Sequence, residues 1–200
     1  YIQLSKLFYE RFINDEDITL FSPHEVPELY EAWGTEAFDD LYVKAERKTS
    51  VKKIKVGAQE LFFDILKERA ETGRIYIMNI DHCNTHSSFK DRVYMSNLCQ
   101  EITLPTDPIQ HIDQEGEIAL CILSAINVGL INKRDELEPL CDLAVRALDE
   151  IIDHQKYPIN AAEISTKARR SLGIGYIGLA HYLAKKGYRY DQKMAWRQVD

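Results

Sequence analysis

Apolar residues recur at helical spacing through most of the first 72 residues, with charged residues between them. This pattern predicts helices over residues 1–14, 22–33, 35–48 and 52–72. Pro23 and Thr35 are typical of helix starts, and Gly73 is typical of a helix end. The longest of these helices, over 52–72, is expected to pack on a sheet.

Three segments instead have the composition of strands. Arg74–Ile80 is rich in β-branched and aromatic residues and lies between Gly73 and a polar run. A second strand is predicted over 97–103. The third, Glu117–Ser124, is a nearly continuous apolar run, which is typical of a strand covered on both faces.

The last third of the chain returns to helical spacing. An amphipathic pattern from Asp135 predicts a helix that ends before Pro158, and a further helix is predicted from about 160 through Ala184. Strands interleaved with long helices indicate an α/β fold. No linker or low-complexity segment marks a domain boundary.

Composition narrows the classes of function. The chain has 200 residues, of which 45% are hydrophobic, and a net charge of −7. Without a block of Lys and Arg, no nucleic-acid partner is expected. The apolar run Ile118–Leu123 is far shorter than the roughly 20 residues of a membrane span, so no membrane association is expected. Because the chain opens on Tyr1 in an already helical pattern, we expect it to be part of a longer protein.

Four widely spaced cysteines without a secretory signal favour reduced thiols in the cytoplasm over a disulfide framework. Cys141 lies on the apolar stripe of its predicted helix, where a cysteine usually behaves as a small buried hydrophobe. No chemistry is assigned to it.

An amide, a thiol and a carboxylate alternate at Asn97, Cys99 and Glu101, and a second thiol follows at Cys121. On an extended segment the first three would share one face, while Leu98 and Ile102 would anchor the other. These groups suit radical chemistry on a ribose. A half-buried strand with a polar solvent face would give the same alternation, so the pattern alone leaves both interpretations open.

Two other motifs have residue types that occur in ligand-binding sites. Gly173–Gly178 matches the dinucleotide fingerprint G-x-G-x-x-G, but no strand-like run leads into it, which favours close helix packing. His82, Cys83 and His86 offer metal ligands within one short stretch, but no second cluster completes a zinc site. A polar loop held by hydrogen bonds is the favoured interpretation there.

Several blocks, in order along the chain, resemble the catalytic subunit of class I ribonucleotide reductase. They are Gly73–Ile77, Asp81–His86, Ser96–Ile102, Gly116–Cys121 and Arg169–Gly175. The resemblance extends to the intervening helices. It implies that residues 1–200 are a central portion of a ten-stranded α/β barrel made of two half-barrels, with the loop that carries Cys99 inside it. In that portion 1–72 would be mainly helical, 73–124 would hold active-site strands and the loop, and 125–200 would be helical.

The resemblance also implies roles for the candidate residues. Cys99 would carry a transient thiyl radical that removes the hydrogen from C3′ of the ribose, and Glu101 would accept the proton of the 3′-hydroxyl. Asn97 would hold the sugar by hydrogen bonds. Cys121 would be one of two thiols that supply the electrons by forming a disulfide. Its partner belongs to a family position before Tyr1, so the isolated chain is not expected to turn over.

The implied substrate is a ribonucleoside diphosphate, with thioredoxin or glutaredoxin as reductant. A separate metal-containing small subunit would generate the radical, ATP and deoxynucleotides would act as effectors elsewhere, and the full-length protein would be a homodimer. No metal or other cofactor is expected on this chain. Two other classes remain open: an inactive scaffold or regulatory paralogue, and a nucleotide- or metal-binding module built on Gly173–Gly178 or His82–His86.

Overall fold

A computed structural model describes residues 1–111 and 115–200. The chain forms two compact units, Tyr1–Thr106 and Asp107–Asp200. Helices and strands alternate in both, so the expected α/β class is confirmed. The stretch 73–124, predicted to hold the active-site strands, includes 112–114, which lie outside the described residues.

The first unit contains four strands and five helices in its described part. They are β1 (Ile2–Leu4), α1 (Lys6–Ile13), β2 (Asp17–Phe21), α2 (Pro27–Ala32), α3 (Ala37–Arg47), β3 (Lys53–Gly57), α4 (Ala58–Thr72), β4 (Ile77–Asn79) and α5 (Ile80–Thr85). β1 pairs with β4 in parallel, and β2 pairs with β3 in antiparallel orientation. Between the sheets and helices lies an apolar core that includes Phe8, Val26 and Ala45.

Two predicted helices begin later than expected, because strands precede them. In the predicted helix 1–14, residues 2–4 form β1, and α1 starts only after Ser5, whose Oγ accepts a hydrogen bond from the Phe8 N–H at 3.3 Å. In the predicted helix 52–72, residues 53–57 form β3. Its Lys-Ile-Lys-Val alternation has a period of two, and its partner β2 lies more than 30 residues earlier.

The two predicted helix boundaries at Thr35 and Gly73 have different outcomes. Thr35 does not cap α3. Its hydroxyl donates to the Ala32 carbonyl at 2.6 Å and so closes the end of α2. Gly73 ends α4 as predicted, in the left-handed conformation at φ +66° that a glycine adopts without strain.

The second unit consists of two strands, four helices and two short 3-10 turns in its described part. They are β5 (Ile122–Asn127), the turns Val128–Leu130 and Arg134–Glu136, α6 (Leu137–His154), α7 (Asn160–Arg169), β6 (Leu172–Ile177), α8 (Leu179–Lys185) and α9 (Lys193–Val199). β5 pairs with β6 in parallel, starting at Ile122 opposite Leu172. Ile122, Leu148 and Ile152 form the core, so the amphipathic α6 packs on this sheet as its pattern predicts.

The predicted strand Glu117–Ser124 is displaced along the chain, because β5 begins only at Ile122. The start of β6 explains this displacement. β6 begins at Leu172, two residues after Arg170, which adopts the left-handed conformation at φ +45° and binds Asp149 and Asp153 of α6, and Ile122 is the residue that pairs with Leu172. β5 is also not covered on both faces in this unit, since Leu123 is 55% exposed.

The predicted helix 160–184 is interrupted by β6. Gly173 and Gly175 lie inside this strand, and Gly178 forms the turn into α8 at φ +76°. The expectation that these glycines pack between helices is therefore wrong. A Cβ on Gly178 would lie 2.5 Å from Asn127 Oδ1, so close approach of β5 explains this glycine.

Within the described residues the strands form three two-stranded sheets, and none of these sheets closes on itself. The α/β content is thus established, while the ten-stranded barrel remains an expectation from the family. Across residues 1–111 and 115–200, no helix combines the length and the apolar character that a bilayer crossing requires.

Candidate active-site loop

Residues 96–102 form a loop that is closed at its neck. The Ser96 hydroxyl donates to the Ile102 carbonyl at 2.7 Å, and the Ile102 N–H donates to Asn97 Oδ1 at 3.1 Å. The Asn97 N–H also approaches the Ile102 carbonyl at 3.4 Å. We refer to these contacts among Ser96, Asn97 and Ile102 as the loop neck.

The tip of the loop is a tight turn that presents Cys99 to solvent. The Gln100 N–H donates to the Asn97 carbonyl at 3.1 Å, and Gln100 adopts the left-handed conformation at φ +62°. Cys99 is exposed, and Leu98 beside it is 85% exposed. The predicted strand over 97–103 is therefore wrong, and Leu98 does not anchor the segment.

Three side chains attach the loop and the stretch before it to the rest of the first unit. The Tyr1 hydroxyl donates to the Ser96 carbonyl and accepts from the Ser96 N–H, both at 3.0 Å. Gln100 Nε2 donates to the Ile77 carbonyl of β4 at 2.6 Å, and Gln3 Nε2 donates to the Tyr94 carbonyl at 2.9 Å. The loop is irregular, yet its backbone is fixed to β1 and β4.

These contacts limit what each candidate side chain can do chemically. Asn97 Oδ1 already accepts the Ile102 N–H, so Nδ2 remains as the donor that a sugar oxygen requires. Among the described residues, no hydrogen bond or ion pair involves the Cys99 thiol or the exposed Glu101 carboxylate. A thiol and a carboxylate in this situation are both accessible to a ligand.

The four candidates are divided between the two units. Asn97, Cys99 and Glu101 lie in one loop, but a turn rather than a shared strand face brings them together. Cys121 belongs to the second unit and lies one residue before β5 rather than on a strand. Its side chain is exposed.

The stretch that leads to Cys121 is held at its start. Glu117 binds Arg169 at the end of α7 through a bidentate ion pair with a closest distance of 2.7 Å. The same carboxylate accepts the Asp107 N–H at 2.9 Å, and the Ile118 N–H donates to the Ala161 carbonyl at 3.1 Å. These contacts fix the direction in which the chain enters β5.

The motif formed by His82, Cys83 and His86 has a structural explanation in the described chain. His82, Cys83 and His86 belong to α5 and its end rather than to a polar loop. Burial raises the pKa of the Cys83 thiol, which disfavours its ligating thiolate form. Within residues 1–111 and 115–200, no group of three or more His, Cys, Asp or Glu side chains could hold a metal ion.

Thr85 Oγ1 forms a hydrogen bond with His86 Nδ1 at 3.0 Å, and further hydrogen bonds near this motif belong to Asn84. Its Oδ1 accepts the Val93 N–H at 2.8 Å and its Nδ2 donates to the Val93 carbonyl at 3.0 Å, which fixes the segment after α5. In the second unit Cys141 is exposed, so its expected burial is wrong. Cys141 lies on the same face of α6 as the core residues Leu148 and Ile152, but about two turns before Leu148, and it does not belong to the core that they form.

An apolar cavity of about 640 Å³ lies in the first unit. Its lining comes from β1, β2 and the neighbouring helices and includes Leu4, Phe8 and Tyr42. None of the loop candidates Asn97, Cys99 and Glu101 lines it. Tyr1, which binds Ser96, and Gln3, which binds Tyr94, also line this cavity, but none of the candidate chemical groups does, so we assign it no part in the site.

The contacts that shape the loop were not found from the sequence. Ser96 and Tyr1 are 95 positions apart, and Gln100 and Ile77 are 23 apart, so no local pattern reports either contact. The local bond from the Ser96 hydroxyl to the Ile102 carbonyl has a signal in the sequence, because serine and asparagine in a short irregular segment often form side-chain to backbone hydrogen bonds.

Comparison with known proteins gives a consistent assignment. The family model described as ribonucleotide reductase, barrel domain, matches residues 2–199. The ribonucleoside-diphosphate reductase subunit alpha of Haemophilus influenzae is 56% identical over 200 residues, covering 97% of this chain and 26% of that protein. The ribonucleoside-diphosphate reductase 1 subunit alpha of Escherichia coli is 54% identical over the same shares. The chain spans about a quarter of the length of these curated relatives. It belongs to the ribonucleotide reductase barrel-domain family.

Proposed function

We propose that this chain is the central portion of the catalytic subunit of a ribonucleoside-diphosphate reductase, which converts ribonucleotides to 2′-deoxyribonucleotides for DNA synthesis. The observation that carries the proposal is the closed loop that exposes the Cys99 thiol between an amide donor at Asn97 and a carboxylate at Glu101. Membership of the family supports the same assignment.

In the proposed reaction Cys99, as a thiyl radical, takes the hydrogen atom from C3′ of the ribose. Glu101 accepts the proton of the 3′-hydroxyl, which pushes electron density toward C2′ and helps the 2′-hydroxyl to leave as water. Asn97 Nδ2 donates to a sugar oxygen and holds the ribose against the thiol. At the end of the cycle Cys99 returns the hydrogen atom to C3′ and becomes a thiyl radical again.

The two electrons of the reduction come from a pair of thiols, of which Cys121 is one. One thiol of the pair protonates the leaving hydroxyl, and both sulfurs are then oxidised to a disulfide. Thioredoxin or glutaredoxin reopens this disulfide by thiol exchange. The second thiol of the pair is proposed at the family position that precedes Tyr1 in the full-length protein.

The wider assembly follows from the same proposal. A ten-stranded barrel of two half-barrels would enclose the Cys99 loop and exclude water from the radical. A separate metal-containing small subunit would supply the radical, so no metal or other cofactor is proposed on this chain. ATP and deoxynucleotide effectors would bind elsewhere in a cytoplasmic homodimer.

The decisive experiment uses the full-length protein that contains this chain, together with its small subunit and a dithiol reductant. Formation of deoxyribonucleotide from each ribonucleoside diphosphate is measured for the parent, Cys99→Ser and Cys141→Ser. We expect turnover in the parent, its loss in Cys99→Ser with substrate binding retained, and normal turnover in Cys141→Ser.

The control thiol is matched to the test, because Cys99 and Cys141 are both exposed. An inactive parent that binds its small subunit normally would support the scaffold or regulatory alternative. Substantial turnover in Cys99→Ser would refute the thiyl mechanism.

A further inference from the structure

We infer that Ser96 is a positioning residue for the radical thiol, an inference that rests on the proposed function. Its hydroxyl donates to the Ile102 carbonyl at 2.7 Å and lies 3.2 Å from Asn97 Oδ1. In the proposed reaction Ser96 contacts no reacting atom. It acts through the loop neck, which sets where Cys99 and the amide of Asn97 stand.

Cys99 depends on this neck because nothing else in the described chain holds its side chain. No hydrogen bond or ion pair to the thiol occurs within residues 1–111 and 115–200, and the side chain is exposed. The loop's own geometry therefore determines the position of the sulfur. Two fixed points contribute to that geometry: the neck at Ser96 and Ile102, and the bond from Gln100 to β4.

The neck also sets the orientation of the Asn97 amide. The Ile102 N–H requires an acceptor, which identifies the Asn97 atom at 3.1 Å as the oxygen, and the Ser96 hydroxyl borders the same oxygen. Because the amide is planar, Nδ2 then points away from the neck and can donate to a substrate. Loss of the hydroxyl removes one of the two groups that border Oδ1.

The hydroxyl is not needed to hold the backbone of Ser96. The Tyr1 hydroxyl bonds both the N–H and the carbonyl of Ser96 at 3.0 Å, and these bonds do not involve Oγ. Removal of Oγ should therefore loosen the loop between residues 97 and 101 without detaching it from the unit. This separation makes a positioning role distinguishable from a purely structural one.

The test compares Ser96→Ala, Ser96→Thr and Ser96→Val in the full-length enzyme with its small subunit and reductant. Thr and Val have nearly the same shape and differ by the hydroxyl. We expect kcat to fall about tenfold in the Ala and Val variants, with KM for the ribonucleoside diphosphate within about twofold of the parent. The Thr variant should recover most of kcat.

Ser87→Ala is the matched control. The Ser87 hydroxyl also makes a local bond, accepting the Phe89 N–H at 3.1 Å, but it lies outside the loop. Its removal should leave kcat unchanged. Parent-like kcat in both Ser96→Ala and Ser96→Val, measured in an active parent, would overturn the inference.

A second measurement keeps this inference separate from the proposed function. Hydrogen exchange of the peptide that covers 97–102 should be faster in Ser96→Ala than in the parent and in Ser87→Ala. An inactive parent would contradict the proposed function, and the exchange rates would then decide alone whether Ser96 closes the loop. Unchanged exchange in Ser96→Ala would contradict the role of Ser96 in closing the loop.

Discussion

The first unit contains the Cys99 loop and a polar cluster formed by Arg11, Thr19, Tyr42 and Glu46. Both include a glutamate, but its surroundings differ. In the cluster, Arg11 makes a bidentate ion pair with Glu46, whose side chains are only 12% and 16% exposed. Thr19 Oγ1 also donates to Glu46 at 2.6 Å, and the Tyr42 hydroxyl both accepts from and donates to the Thr19 backbone. In the loop, by contrast, Glu101 and Cys99 are exposed.

The difference lies in whether the side chains still have capacity for a new partner. In the cluster the charges are mostly but not fully buried and their hydrogen-bonding groups are occupied, so a change there should cost stability. In the loop the backbone and the Asn97 oxygen are occupied, while the thiol and the Glu101 carboxylate remain accessible. A change of those groups should cost chemistry.

The largest expected effect is that of Glu101→Gln on turnover. Glutamine keeps the shape but cannot accept a proton, so kcat should fall by roughly a hundredfold or more while thermal stability stays unchanged. Steady-state kinetics and calorimetry of the full-length enzyme measure the two quantities. Glu71→Gln, an exposed carboxylate on α4, is the control. If Glu101→Gln lost as much stability as Glu46→Gln in the cluster, the contrast between the two regions would be contradicted.

Glu46→Gln tests the opposite side of the comparison. It leaves the Arg11 guanidinium largely buried without its counter-charge, which should lower the local free energy of unfolding by about 3 kcal/mol. Hydrogen exchange of peptides from β2 and β3 in the full-length protein would then be accelerated about a hundredfold. Glu28→Gln, which breaks the surface pair with Lys48, should give no measurable change.

The pH dependence of hydrogen exchange in β2 tests the contribution of the Glu46 carboxylate to stability. Burial raises the pKa of Glu46, but hydrogen bonds from Arg11 and Thr19 outweigh it and hold the pKa below the ordinary value of 4.5. A carboxyl with a lowered pKa in the folded state stabilises that state above its unfolded pKa, and this stability is lost as the pH falls through the folded value. Protection of β2 should therefore be constant at neutral pH and decrease below about pH 4.5. In Glu46→Gln this decrease should be smaller, and an unchanged decrease would contradict the assignment.

The smallest effect extends the comparison to one turn of the second unit, at Gly178, where backbone conformation rather than a paired side chain is expected to decide stability. Gly178→Ala places a Cβ at φ +76° and 2.5 Å from Asn127 Oδ1. We expect it to destabilise the β5–β6 region by about 2 kcal/mol. Gly175→Ala is the control, because its Cβ would meet nothing within 4 Å. Exchange rates of the β6 peptide compare the two variants, and equal rates would show that the turn at Gly178 has no special requirement.

The sequence predicts those parts of the fold that depend on local signals. The end of α4 at Gly73 and the amphipathic α6 follow from residue types within one or two turns. The pair β2 and β3 was missed because each strand is five residues long and its partner is distant in the chain. β6 was missed because glycines at 173 and 175 do not have the composition of a strand.

The candidate site likewise combines features that the sequence indicates with features that depend on distant contacts. Its residues were named from their resemblance to a family, and the alternation of Asn97, Cys99 and Glu101 suggested a strand. The resemblance implies a loop at Cys99, but the contacts that hold this loop could not be predicted, because those of Tyr1 and Gln100 join residues 95 and 23 positions apart. The exposure of Cys141 was also unpredictable, since helical periodicity identifies an apolar face but not what covers it.

The ion pairs of Arg170 have a consequence beyond the stability of α6 and α7. They tie the start of β6 to α6, and α6 also packs on Ile122 at the start of β5, so one helix positions the beginnings of both strands of the parallel ladder. Side chains alternate along a strand, so a slip of one residue would exchange the two faces of β5. The ion pairs of Arg170 therefore oppose a slip that would turn the side chains of β5, which begins directly after Cys121, to the opposite face.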